Sequence, residues 1–423
     1  MKKRNLVARS VVSSVSGRWL TFAFVLMATA GITQSSQAQT YRVLYTFNGT
    51  TDGANPEQVL LVRDSAGNLY GTASNGGASG GGAVFKLDAS GRETVLHSFT
   101  GGSDGRSPAA GVIRDDTGNL YGTAQLGGNT DCQTYGNYQR EGCGVIFKVD
   151  SAGRFSVLYT FSGTEGAFPT DSLLEVASGT FYATTAGGGT NSSCEDTGDG
   201  CGTVFKLTLT SRAWTGKVVY NFGWNKGWQP YANLIADDAG NLYGTTVGCN
   251  DGTEVPCGVV FQLTPATHGW TYKMLHGFTG GYNGGPDGAY VWGALVRDSA
   301  GNLYGTTNRG GAHNYGTIFQ LSASGKKTEL HSFNDSDGAY PYSALTLDNS
   351  GNLYGTTFLG GTSNNGEVFK LDSERKLTVL HSFAAGDDGQ YPQGPLLLEG
   401  AKLYGTTLAG GADSSGTIFE LTP

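Results

Sequence analysis

The same four-residue phrase returns seven times along the chain, at 69–72 (Leu-Tyr-Gly-Thr), 120–123, 181–184 (Phe-Tyr-Ala-Thr), 242–245, 303–306, 353–356 and 403–406. Successive copies lie 51, 61, 61, 61, 50 and 50 residues apart. A period near fifty without helical patterning predicts that each unit is a small sheet unable to bury both faces alone, so neighbours must stack to make a core. The 69 Gly, 21 Tyr and 20 Phe of the 423 residues suit short strands joined by tight turns.

The sixth unit reads most cleanly. Residues 341–348 predict a first strand, Asp348-Asn-Ser-Gly-Asn352 its turn, and 352–358, 366–372 and 376–383 three further strands. Four antiparallel strands per unit make a propeller blade. The seventh unit reaches a third strand at 416–421 and has no fourth, whereas 41–47 (Tyr-Arg-Val-Leu-Tyr-Thr-Phe) carries the fourth-strand pattern of 157–161 and precedes any first strand. The expectation is an all-β, seven-bladed β-propeller whose last blade is closed by the N-terminal strand, which removes two exposed edges. An open β-solenoid is the alternative, but its usual repeats are shorter.

Residues 1–38 read as a signal peptide, with a basic start, an apolar stretch over 20–32 and small or polar residues ending Ser36-Gln37-Ala38. Some thirteen apolar residues fall short of the roughly 20 that span a bilayer. Residues 39–423 then form one domain of seven repeats. The leader carries Lys2, Lys3, Arg4, Arg9 and Arg18 and no acid, so its removal leaves 22 bases against 35 acids, a charge of −13. That balance argues against nucleic acid as a partner. With no room for a C-terminal anchor in the last repeat, the expected product is secreted, extracellular or periplasmic, without a membrane span after cleavage, and monomeric.

Six cysteines fall in three close pairs, Cys132 with Cys143, Cys194 with Cys201, and Cys249 with Cys257, each between the second and third strands of a repeat that opens a 61-residue spacing. They predict local disulfides in an oxidising compartment. No pair has the two-residue gap of a zinc knuckle, and no His is interleaved.

The run Asp348-Asn-Ser-Gly-Asn-Leu-Tyr-Gly-Thr-Thr357, then Gly360-Gly361, then Gly366-Glu-Val-Phe-Lys-Leu371, then Val379-Leu-His-Ser-Phe383, resembles the GloVer (Gloeo/Verruco) tandem repeat of choice-of-anchor proteins. The resemblance spans 41–423 and implies an exported bacterial repeat protein. It carries over no catalytic residues. The Asp-x-x-Gly-Asn turn is also similar to that of gluconolactonase-like propellers, but their set of channel carboxylates is not reproduced at matching positions.

His97, His276, His331 and His381 occupy one repeat position, filled elsewhere by Tyr45, Tyr159 and Tyr220, on the outermost strand. Spread around a ring, they cannot converge on one metal or substrate. The repeated Thr hydroxyls are explained by strand structure. Acid–glycine loops recur before six of the seven first strands, and Asp335, Asp337, Asp387 and Asp388 make calcium the one cofactor worth weighing, although the spaced ligands and closing Glu of a calcium loop are missing. No catalytic or metal residue is assigned.

Function must break the repeat. All five Trp after residue 38 lie between 214 and 292. The loop into each blade and the loop between its second and third strands emerge on one face. Trp224, Trp228, Tyr282, Tyr290 and Trp292 therefore predict an aromatic ligand-binding surface on the disulfide-braced face, suited to the apolar faces and hydroxyls of sugars. The reading is a non-enzymatic carbohydrate-binding module for glycan or another extracellular or envelope polymer. Its alternatives are a polysaccharide hydrolase or lyase in the central channel, using acids such as Glu175 and Glu399, and a protein-interaction scaffold.

Overall fold

In the computed structural model, the described residues are 39–423 except 130, 131, 133–140, 192, 193, 195–199, 250–255 and 282. The leader 1–38 and Tyr282 lie outside them. Seven four-stranded sheets follow one another, each antiparallel and, in blades one to six, built in chain order from an inner strand a to an outer strand d. The seventh sheet runs Leu397–Glu399, Lys402–Thr407, Thr417–Thr422 and then Thr40–Thr46, whose Tyr41 faces Leu421 and Thr46 faces Thr417. The N-terminal strand thus closes the last blade of a seven-bladed propeller. No helix among the described residues is long and apolar enough to cross a membrane.

Inner strands are shorter than the sequence predicts. In blade six the first strand is only Thr346–Leu347, while the others are Leu353–Thr357, Glu367–Leu371 and Leu377–Ser382, close to expectation. The segment before it bonds in two directions: the Tyr340 N–H donates to the Tyr315 carbonyl of blade five, while the Tyr340 carbonyl accepts the Phe358 N–H of its own blade.

The repeated residues build the joints between blades. The Phe that ends each outer strand meets the third-strand Phe of the next blade nearly edge-on. The seven pairs, Phe47–Phe85 through Phe383–Phe419, have centroids 5.0–5.5 Å apart and planes at 61–68°. The glycine of Leu-Tyr-Gly-Thr leaves room for that ring: a Cβ on Gly355 would sit 2.6 Å from Cζ of Phe369. Blade three has Ala183 instead, and there the opening moves to the outer strand, where Gly216 lies against Phe205 and Tyr159.

Each Thr of the phrase donates its hydroxyl to a main-chain carbonyl of the next blade, from Thr72 to Ala110 round to Thr406 to Pro56, at 2.6–3.4 Å. Seven clasps of one kind leave no hydroxyl of this set for nucleophilic chemistry.

Candidate functional site

The turn aspartates are consumed by their own hairpins. Asp64 Oδ1 accepts from the Ala66 and Asn68 N–H groups, and Oδ2 accepts from the Asn68 side chain and the Tyr70 hydroxyl. The same hydroxyl bond recurs from Tyr121, Tyr243, Tyr304 and Tyr354.

The outer-strand histidines and the acid–glycine loops form one device. His97, His276, His331 and His381 bond through Nε2 to Asp104, Asp287, Asp337 and Asp388, at 3.0–3.3 Å, while Tyr45 and Tyr159 donate to Asp52 and Glu165. Burial works against ionising Asp287, but hydrogen bonds from His276 and Lys327 outweigh it and hold its pKa well below the usual range. In the seventh loop Lys226 replaces the acid. Among the described residues no group of three His, Cys, Asp or Glu gathers to hold a metal.

Three disulfides, Cys132–Cys143, Cys194–Cys201 and Cys249–Cys257, brace loops of blades two, three and four. Such bonds form in an oxidising, non-cytoplasmic compartment. Each also grips the next blade. Seven non-glycine residues, Asn55, Ser107, Phe168, Gln229, Tyr290, Tyr340 and Tyr391, hold φ of 53–61° in the loops leading into the blades, a conformation such residues rarely adopt. Each donates its N–H to a carbonyl of the preceding blade, and for Phe168, Gln229 and Tyr290 that carbonyl belongs to Cys143, Cys201 and Cys257.

These loops and those between second and third strands do share a face, bridged at Ala54 with Asn75, Ala289 with Arg309 and Ala339 with Leu359. Of the aromatic residues expected there, Trp224 stacks on Trp228, with centroids 5.1 Å apart and planes at 13°. Trp228 is only 8% exposed and packs with the Cys194–Cys201 bridge and Phe222, so it belongs to the wall more than to the surface. Tyr290 is one of the seven left-handed residues.

Trp292 lies in different company. Its ring sits 4.9 Å from Tyr231 and 5.8 Å from Tyr342; Tyr342 meets Phe358 at 5.4 Å, and Phe358 meets Tyr391 at 5.0 Å. Five half-buried rings therefore form a continuous arc through blades four to seven, at the loop-face mouth of the channel. Tyr231, Trp292 and Tyr342 occupy one repeat position, next after the proline (Val291 in blade five) that follows the left-handed residue, and its other occupants are Glu57, Ala109, Thr170 and Gln393. The signal was present in the dipeptides Pro230-Tyr231 and Pro341-Tyr342, which aligning the repeats would have revealed.

Below the mouth the segments leading into the inner strands approach backbone to backbone, and a Cβ on Gly111, Gly293 or Gly394 would collide with main-chain oxygens of Leu60, Ser343 or Val59. The opposite end of the channel is a cup of about 1290 Å³ with walls such as Ile235, Val296 and Leu397 and a rim that includes Arg297 and Asn349. Glu175 accepts from the Gly179 N–H at 3.3 Å, and Glu399 is exposed at the turn of blade seven.

The Gloeobacter/Verrucomicrobia repeat matches residues 31–193, 133–349 and 293–423. No curated protein sequence matches the chain. Among solved structures, virginiamycin B lyase from Staphylococcus aureus is similar at 12% identity and a TM-score of 0.54, over 91% of this chain and 99% of that one. A mitotic checkpoint complex chain is similar at 14% identity and a TM-score of 0.53, over 96% and 99%. A lyase and a checkpoint complex on one architecture carry the fold and no activity.

Proposed function

The chain belongs to the Gloeobacter/Verrucomicrobia repeat family, and on that premise we propose that it is an exported binding module, cleaved after its first 38 residues, that holds a glycan or another extracellular or envelope polymer on its loop face. The observation that carries this reading is the arc Tyr231, Trp292, Tyr342, Phe358 and Tyr391. Contiguous, half-buried rings offer the flat apolar surface that pyranose faces stack on. The three disulfides support export.

A glycan array probed with the protein and with Trp292→Ala tests the reading. Binding that Trp292→Ala removes supports it. Binding unchanged by the substitution, or no sugar bound at all, removes it, and the second result favours a protein-interaction scaffold.

A further inference from the structure

The arc has a polar end. Thr170 Oγ1 reaches the Tyr231 carbonyl at 3.4 Å, so blade three meets the arc at its first ring. The neighbouring Asp171 side chain accepts the Ser172 N–H at 2.7 Å and also accepts the N–H of Asn233, two residues beyond Tyr231. Asp171 is thus tied to the segment that carries the platform's first ring.

The hydrogen-bond inventory at this end is one-sided. A carboxylate offers about four lone-pair sites, and two main-chain donors leave roughly half of them open. Asn233, whose N–H Asp171 accepts, has a buried Oδ1 with no hydrogen-bond partner. Neither Asp171 nor Glu57, the acid at the mouth position of blade one, feels a basic side chain; burial pushes Asp171 up to about 7 and also raises Glu57. The seven mouth residues include no Lys or Arg. An Asn233 oxygen without a donor and an Asp171 carboxylate without a counter-cation call for a ligand that brings N–H or O–H groups, and a positive one satisfies both best.

We propose that Asp171 is the specificity-determining residue of the aromatic platform and selects a sugar chain bearing free amines, with a 2-amino-2-deoxy pyranose stacked on Tyr231 or Trp292 and its ammonium directed to Asp171 and Asn233 Oδ1. This rests on the glycan-binding reading above and narrows its ligand class. A hydroxyl brings one donor to this corner, whereas an ammonium brings three and a charge. Acidic sugars are disfavoured by the same carboxylates and by the overall negative charge.

Calorimetry at neutral pH with three oligosaccharides of equal length tests this: a glucosamine chain, its fully N-acetylated form and a cello-oligosaccharide. The glucosamine chain should bind about tenfold more tightly than the other two, the worth of one charge-assisted hydrogen bond. Asp171→Asn keeps the shape and an acceptor for Ser172, and should erase that preference, so that the three chains bind alike within about twofold. Trp292→Ala should weaken all three. Equal binding of the three chains, or a preference that survives Asp171→Asn, overturns the amine selection and leaves the platform standing. No binding of any chain removes the amine selection and counts against the platform as well.

Discussion

Tyr41 stacks face to face on His381, with ring centroids 3.7 Å apart and planes at 6°, and its hydroxyl donates to the Asp388 carbonyl at 2.6 Å. The third of the described residues is thereby fastened to blade six. His97 makes the same stack on Phe155 at 3.6 Å, and Tyr220 on Tyr272 at 4.9 Å, so the seam of the ring reuses an internal joint.

Tyr41→Ala removes the stack and the hydroxyl bond together, and should cost about 3 kcal/mol of unfolding free energy in urea titration. Tyr41→Phe keeps the stack and should cost about 1. Equal stability of Tyr41→Ala and the parent protein would mean that the seam is not what holds the ring closed.

Thr406→Val strips one clasp at the seam and leaves the Pro56 carbonyl buried without its donor; Thr245→Val does the same inside the ring, at Gly293. Both should lose about 1–2 kcal/mol. A much larger loss at 406 would show that closure, and not the uniform joint, limits stability.

Glu367 stands where blades three, five and seven place Thr203, Thr317 and Thr417, which pair with a second threonine. It is 1% exposed, Oε1 accepts from Ser382, and Oε2 has no partner. Burial, aided by the nearby Asp337 charge, pushes its pKa from 4.5 up to about 7. A carboxyl raised in the folded state leaves full stability below its unfolded pKa and destabilises progressively as pH climbs to the folded value, here by on the order of 3 kcal/mol. Glu367→Gln should match the parent near about pH 5 and exceed it in melting temperature at about pH 8. A gap of the same size at both pH values would contradict this account.

Glu93 faces the Tyr45–Asp52 pair with a buried, partnerless Oε1, and burial and Asp52 push it up to about 7. Four blades on, Lys327 fills the corresponding place and bonds Asp287 at 2.8 Å. Glu93→Lys should therefore raise the melting temperature at neutral pH by a few degrees, with the gain shrinking toward pH 5, where Glu93 is protonated, on a scale of about 1–2 kcal/mol. A loss of stability at neutral pH would show that Asp52 is not the group Glu93 opposes.

The double variant Cys194→Ser with Cys201→Ser opens a short loop and should cost about 2.5 kcal/mol by the chain-entropy estimate. Because the Cys201 carbonyl holds the Gln229 N–H, hydrogen exchange should quicken at Gln229 in the next blade as well as in the cut loop. Unchanged exchange at Gln229 would confine the disulfide to its own blade.

Sequence alone determined the blade count, the strand order within a blade, the shared last blade and the cysteine pairing, because each is written in local spacing and copied seven times. It also separated Thr72 from Ala110, 38 residues apart along the chain and strangers until blades stack. Copies of one repeat position do diverge around the ring on the outer strands. At the axis the copies Tyr231, Trp292 and Tyr342 come together through Trp292, while Trp228, conspicuous in the sequence, turns into the wall. Only closure of the ring decides which repeat positions meet, since distance from the axis is set by curvature and no local pattern encodes it.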